Sequence, residues 1–304
     1  MPKPKIIAIL GPTASGKTAL AIELAKQING EVISADSRQV YCGLDIGSGK
    51  VTQEEMQGIP HHLIDIIDPV DTYSGADFVR DAKAAVTDIT ARGKVPIIAG
   101  GTFFYVDLLR GKQSTAPVPQ NLVLQAELET LSTEELISRL TTADPRRAAT
   151  IDIKNRRRLI RALEIINSLG AVPEVATIES DYEWLIFGID VPTEALNKRI
   201  EQRLHERLEH GMEAEVAHLL ASGVPKERLI NFGLEYRYLV QGHYHNLTYE
   251  QMTTELFAKI RQFAKRQRTW LKRDKEIAWK SFPVNVGDIA EETKAFLDFS
   301  KVVW

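Results

Sequence analysis

Strand and helix patterns alternate along the first hundred residues. A glycine-rich loop joins the first strand to the first helix, and a later apolar run ends in paired glycines. These observations predict an α/β fold: a P-loop NTPase-like parallel sheet core that takes its ligands at the carboxyl ends of the strands. Lys5 to Leu10 is the first strand. Thr18 to Ile28 carries Leu20, Ile22, Leu24, Ala25 and Ile28 among polar residues, as an amphipathic helix does. Glu31 to Ala35 is a second strand running into Asp36. His62 to Ile67 is expected as a third, closed by Asp68-Pro69, and residues 74–92 as a helix. Val95 to Ala99 is a buried strand stopped by Gly100-Gly101.

Residues 112–120 are rich in Pro, Ser, Thr and Gln and form a connection, and 121–170 are helical in pattern. Trp184 to Asp190 returns to a strand, followed by helices over 193–209, 212–222, 226–241 and 248–274. The predicted organisation is a P-loop core with C-terminal helices (1–112 plus 184–282), a helical insert domain (113–183) and a C-terminal tail (283–304).

Of the 304 residues, 44% are hydrophobic and 26% charged, an ordinary globular composition. The net charge of −3 excludes a polycation, so a nucleic-acid surface requires local segregation of charge. Cys42 is the one cysteine, which excludes a disulfide framework or a cysteine-rich zinc site within the chain. The first apolar run is too short for a secretory signal, and no window approaches a membrane span. A soluble cytoplasmic protein is expected, with no membrane partner.

Gly11-Pro12-Thr13-Ala14-Ser15-Gly16-Lys17-Thr18 matches the full G-x-x-x-x-G-K-[ST] pattern, between a strand and a helix. Its glycines let backbone N–H groups converge on phosphate oxygens, and the helix terminus adds partial positive charge. Lys17 reaches a terminal phosphate and the Thr18 hydroxyl can ligate Mg²⁺. Such loops commonly bind nucleotides, ATP among them. Asp36-Ser37-Arg38-Gln39 follows the second strand directly. A carboxylate there suits a general base, or equally a helix N-cap with Gln39 closing a capping box. Thr102 follows Gly100-Gly101 and either donates to a substrate oxygen or caps a helix. Lys154 to Arg161 is a basic run in the insert. Arg261, Lys265, Arg268 and Lys272 share one face of the last long helix. Both clusters suit RNA phosphates. Arg199 and Arg203 also share a helix face, where Glu201 and Glu206 are available as surface partners.

The ordered set GPTASGKT at 11–18, ADSRQVY at 35–41, DIGSGK at 45–50, HHLIDIIDP at 61–69, YSGADF at 73–78, GGTFFY at 100–105, RIEQR at 199–203 and AKRQRTWLKR at 264–273 closely resembles the tRNA dimethylallyltransferase family. The resemblance spans roughly residues 5–275. It implies transfer of a dimethylallyl group from dimethylallyl diphosphate to N6 of the adenosine 3′ of the anticodon, with release of pyrophosphate. On that basis Asp36 is the general base, Lys17, Thr18 and Arg203 serve the diphosphate, and Thr102 lies near the reacting groups. Asp36, Ser37, Arg38 and Gln39, and Arg157, Arg158, Leu159, Ile160 and Arg161, match tRNA-contacting segments. The implied partners are the anticodon stem-loop of tRNA and dimethylallyl diphosphate, with Mg²⁺ as cofactor, and a monomer is expected. The chain departs from the family at Gly233-Leu234-Glu235-Tyr236, where Gly-Tyr-(Lys/Arg)-Glu is usual, and at Phe103-Phe104, where a leucine-like residue is usual. A small-molecule kinase, a nucleotide-gated RNA switch and prenyl transfer to free AMP or ADP are the competing functions. The two basic clusters favour a macromolecular acceptor.

Overall fold

The computed structural model describes residues 2–116, 118–174, 178–244 and 247–297, without the side chains of 242–244. In chain order the elements are β1 (Lys5–Leu10), α1 (Lys17–Ile28), β2 (Gly30–Ser34), α2 (Gln53–Met56), β3 (His61–His62), α3 (Gly75–Ala91), β4 (Val95–Gly100) and α4 (Phe103–Leu109). Then come α5 (Leu122–Glu129), α6 (Thr133–Ala143), α7 (Pro145–Thr150) and α8 (Arg156–Leu169). β5 (Glu183–Asp190), α9 (Thr193–Glu209), α10 (Met212–Ala221), α11 (Lys226–Phe232), α12 (Leu234–Tyr244), α13 (Tyr249–Leu271), β6 (Ile277–Ser281) and α14 (Val286–Leu297) complete the described chain. No helix among the described residues is long and apolar enough to cross a membrane.

The strands form one sheet in the order β3-β2-β4-β1-β5-β6, every pairing parallel. Successive β1 side chains point to opposite faces. Ile7 and Ile9 enter a core built with α1, α9, α10, α12 and α13, whereas Ile6, Ala8 and Leu10 enter one built with α3 and α4. Strands buried on both faces read as continuous apolar runs. Leu10 lies beside Gly100 on one side and Gly188 on the other, so β1 and β4 end level at their carboxyl edge while β5 runs two residues further, to Asp190. Helix starts are fixed locally: Ser74 and Asp77 form a capping box at α3, as do Thr248 and Gln251 at α13.

The sequence expectations need correction at three places. The strand expected over 62–67 is confined to His61–His62, because Leu63 and Asp65 adopt left-handed φ values of 62° and 53° that break a ladder. β6 went unread, and it pairs with β5 from Ile277 to Ser281. The expected tail contains α14, whose Ile289 and Ala290 are buried beside α1; residues 298–304 of that tail lie outside the described residues.

The chain divides into two compact units, Met1–Arg110 with Glu179–Trp304, and Gly111–Ile178. Residues 179–183 belong with the sheet because Lys83 pairs with Asp181 at 2.6 Å and Glu183 donates its N–H to the Pro4 carbonyl at 3.0 Å. The smaller unit holds α5 to α8 around Leu128, Leu136, Leu140, Leu159, Ile160 and Leu163. Leu159 and Ile160 are 0% and 4% exposed. Their side chains face this core and present nothing to RNA, contrary to expectation. Arg156 closes the C-terminus of α5 by donating to the carbonyls of Leu128, Glu129 and Leu131. Arg161 pairs with buried Glu164 and donates to the Val118 carbonyl at 2.5 Å. Arg157 and Arg158 are exposed.

Arg161 is therefore a brace for this unit. Arg161→Gln leaves Glu164 with the Asn121 and Gln125 donors alone. It is expected to cost about 1–2 kcal/mol of stability, part of the full value because Arg161 is partly solvated. Thermal denaturation reads this directly, and an unchanged melting temperature would show that the pair is dispensable.

Candidate active site

The site begins where β1 runs into the phosphate-type loop. Gly16 takes φ of 89° at the N-cap of α1, and no side chain caps that terminus. The first N–H groups of α1 thus remain open to an anion. Gly11 has no room for a Cβ, which would lie 2.5 Å from Ser15 Oγ. Ser15 is 1% exposed and its hydroxyl has no hydrogen-bond partner. An orphan hydroxyl in a loop of converging amides is an observation that fits a bound oxyanion.

Lys17 is drawn back over this loop, 3.4 Å from the Pro12 carbonyl. Burial pulls its pKa down to about 8; Asp36 partly restores it and Arg203 lowers it again. Burial also lowers the pKa of Arg203, with Arg207 beside it as the second cause. Arg203 makes no side-chain hydrogen bond or ion pair among the described residues, and Glu235 and Glu55 act on it only through space, partly opposing the shift. Arg199 does not pair with Glu201 or Glu206. Its Nε donates to the Ala14 carbonyl at 2.7 Å and its guanidinium stacks 5.1 Å above the Phe282 ring, bracing the loop.

The ends of β2 and β4 supply the opposite wall. The Ala35 N–H donates to Ala99 at 2.9 Å, and the Thr102 N–H donates to Ala35 at 3.0 Å. A Cβ on Gly100 would lie 2.1 Å from the Ala35 carbonyl oxygen, so only glycine fits this crossing. No helix follows Asp36, which overturns the capping-box alternative. Asp36 instead closes a local turn, its Oδ1 accepting the Arg38 N–H at 2.9 Å. Gln39 turns inward, taking a hydrogen bond from Ser34 Oγ at 2.9 Å and giving one to the Gly49 carbonyl at 3.2 Å. Thr102 stands at the N-cap of α4 but does not cap it with its side chain. Its Oγ1 accepts the Ser37 N–H at 3.0 Å. Arg38 lies over the Phe232 ring at 6.0 Å, with burial lowering its pKa and Asp36 opposing that shift.

These walls face one space. A Cβ placed on Gly101 would lie 3.8 Å from Asp36 Oδ2 and 3.9 Å from Lys17 Nζ. A carboxylate and an ammonium from separate loops thus border the same opening. Gln267, a residue sequence reasoning missed, ties the arrangement together. It is buried on α13, accepts the Thr13 N–H at 2.9 Å and donates to the Gly101 carbonyl at 3.0 Å. A glutamine within a basic stripe gives no local sign of such a role. The stripe itself is partly structural: Arg268 pairs with Asp190 at 2.6 Å and Arg261 donates to Asn197 at 3.2 Å, while Lys265 is exposed. Of the two departing phenylalanines, Phe103 is buried and Phe104 exposed. Chemically, the site can hold an anion at the loop and accept a proton at Asp36.

Known proteins share this architecture. The family model described as IPP transferase matches residues 39–274. The chain is 42% identical over 288 residues to the tRNA dimethylallyltransferase of Staphylococcus haemolyticus, covering 91% of this chain and 86% of that protein. It is 44% identical over 268 residues to tRNA dimethylallyltransferase 2 of Shewanella sediminis, covering 88% and 89%. Among solved structures, a tRNA isopentenylpyrophosphate transferase from Bacillus halodurans superposes with a TM-score of 0.72 at 36% identity, over 97% and 96% of the two chains. A eukaryotic dimethylallyltransferase acting on tRNA superposes with a TM-score of 0.77 at 26% identity, over 96% of this chain and 78% of that one. With a family model matched over most of its length and relatives above 40% identity, this chain belongs to the IPP transferase family.

Proposed function

We propose that the protein transfers a dimethylallyl group from dimethylallyl diphosphate to N6 of the adenosine 3′ of the anticodon in tRNA, releasing pyrophosphate. The observation that carries this reading is the convergence of Lys17 Nζ and Asp36 Oδ2 on the opening over Gly101. The adenine N6 lone pair is delocalised into the ring, so the amine is a weak nucleophile. Transfer then needs a well-stabilised leaving group and a base. The new bond joins N6 to C1 of the dimethylallyl group, the C1–O bond breaks, and the N6 proton passes to Asp36. The open amides of α1, the Ser15 hydroxyl, Lys17 and Arg203 take up the charge of the departing diphosphate. A preorganised donor of this kind typically contributes roughly 3–4 kcal/mol to lowering the barrier. Thr102 holds Ser37 and the turn after Asp36 in place.

Mg²⁺ fits the site through the Thr18 hydroxyl, a hard oxygen at the first turn of α1. Thr18 would hold the ion as a protein oxygen ligand beside a bound diphosphate. When bound, the ion supplies further charge neutralisation on the diphosphate. Arg157 and Arg158 on the insert, and Lys265 on α13, are the exposed cations we assign to tRNA phosphates.

Asp36→Asn is expected to keep the melting temperature and tRNA affinity, because an amide oxygen can still accept the Arg38 N–H. Turnover should fall by roughly 10²-fold or more. Near wild-type kcat would remove Asp36 as the base. The same assay with AMP replacing tRNA distinguishes a free-nucleotide acceptor, which should give no product.

Lys17 provides a pH signature. Its pKa is about 8 in the free protein, and an adjacent diphosphate favours the charged form and raises it. Dimethylallyl diphosphate binding without tRNA should therefore take up a proton above about pH 8 and almost none well below it. Affinity should decline as pH rises through that range. Calorimetry in buffers of different ionisation enthalpy measures the uptake, and its absence at high pH would separate Lys17 from the ligand.

Arg158→Gln and Lys265→Gln should each flatten the log–log salt dependence of tRNA binding by about one unit. Dimethylallyl diphosphate affinity should stay unchanged. Unaltered slopes would mark both as solvated surface charges.

A further inference from the structure

Two sequence motifs remain outside this account: Asp45-Ile46-Gly47-Ser48-Gly49-Lys50 and Gly233-Leu234-Glu235-Tyr236. They meet at Glu215 on α10. Its carboxylate accepts three successive backbone N–H groups, from Asp45 at 2.9 Å, Ile46 at 2.5 Å and Gly47 at 2.9 Å. It also accepts the hydroxyl of Tyr236 at 2.9 Å. Three converging amides form a nest that favours an anion, and here the protein fills it with its own carboxylate. The carbonyl side of the same turn is held as well. Arg207 donates to Ile46 at 2.5 Å and to Gly47, and pairs with Glu235 at 3.1 Å. Tyr236 is 1% exposed and sets the hydroxyl end of its ring against Gly47, where a Cβ would come within 2.5 Å of Cζ. At the far end Lys50 joins the Tyr41 carbonyl at 2.9 Å and pairs with Asp45 and Asp65.

What this turn presents to the site is Gly49. It sits at φ of 63°, and a Cβ there would lie 2.7 Å from Nη2 of Arg203. Its carbonyl is fixed by Gln39, two residues after Ser37. Among the described residues no hydrogen bond holds the Arg203 guanidinium, so its direction is left to packing against Gly49 and to the through-space pull of Glu235 and Glu55. The long flexible arm of an arginine loses much rotamer freedom when it is held. A rigid wall that removes this freedom before substrate arrives increases the binding it can give.

We infer that the 45–49 turn, locked by Glu215 and Tyr236, is the wall that aims Arg203 at the diphosphate, making Glu215, Tyr236 and Gly49 positioning residues for the leaving group. The inference rests on the assignment of Arg203 to the diphosphate. The departure at 233–236 then has a physical content: its tyrosine is used inwardly, as the strut beneath Gly47.

The test is a double-mutant cycle read by KM for dimethylallyl diphosphate, KM for tRNA and pyrophosphate affinity without tRNA. Gly49→Ala and Glu215→Gln should each raise KM for dimethylallyl diphosphate and weaken pyrophosphate binding by about tenfold or more, with KM for tRNA unchanged. Tyr236→Phe keeps the ring on Gly47 and loses the hydroxyl, so it should give a smaller change in the same direction at an unaltered melting temperature. In an Arg203→Met background all three should have no further effect. Additive losses in that background, or tRNA affinity falling in parallel, would overturn the positioning role and leave the diphosphate assignment standing. If Arg203→Met itself leaves pyrophosphate affinity intact, the assignment of Arg203 fails and the inference with it.

Discussion

The site depends on one crossing at the carboxyl edge of the sheet, where Gly100 passes directly over the Ala35 carbonyl. No Cβ fits there, and two backbone hydrogen bonds clamp the strands at that level. The crossing delivers the residue after β2 and the residues after β4 to the same place. Asp36 and Ser37 come from one strand end, Gly101 and Thr102 from the other, and the Ser37–Thr102 hydrogen bond follows from their proximity. β4 also lies beside β1, whose end becomes the phosphate-type loop. A parallel sheet thus brings ammonium, carboxylate and hydroxyl together at one edge although they lie far apart in sequence.

Charge gathered in this way works against stability. Lys17 is desolvated enough to lower its pKa to about 8, and the nearby charge of Arg203 lowers it further. Backbone contacts brace the loop that carries these charges. Gln267 satisfies the Thr13 N–H with a neutral amide, and Arg199 secures Ala14 through a carbonyl and an aromatic ring. The carboxylate of Glu215 is placed one layer back, within the amide nest of the 45–47 turn. Strained and unsatisfied groups cluster where a ligand would relieve them.

How much of this was legible follows from how local each requirement is. The phosphate-type loop needs a strand, two glycines, a lysine and a helix start within eight consecutive residues, so sequence displays it whole. The placement of Asp36 at a strand end was equally local, though its choice between turn and cap depended on whether a helix followed. Left-handed Leu63 and Asp65 leave no mark in an apolar run, so a short strand read as a long one. Leu159 and Ile160 sat inside a basic motif, while their helical phase, which sends them into the core, carried the opposite message. Gln267 and Glu215 were illegible for another reason. Each acts on backbone groups of a distant loop, and only the folded chain identifies which polar side chain on a helix faces inward.

The same geometry explains why a phosphate-type loop here serves transfer and not hydrolysis. An NTPase of this class ends a strand with an aspartate that organises metal and attacking water. β4 ends instead in Gly100-Gly101-Thr102, with the hydroxyl committed to Ser37. The acidic stretch following β3 offers no substitute, since Asp65 is paired with Lys50 and the carboxylate of Asp68 accepts the Val70 N–H at 2.9 Å. The carboxylate beside Gly101 is that of Asp36, whose Oδ2 a Cβ on that glycine would approach to 3.8 Å. In the proposed reaction a base in that place acts on a group arriving from outside the loop and leaves the diphosphate to be released as an intact anion. An acid at the turn after β2, with a glycine pair and a hydroxyl at the end of β4, is the arrangement that such a transfer would use.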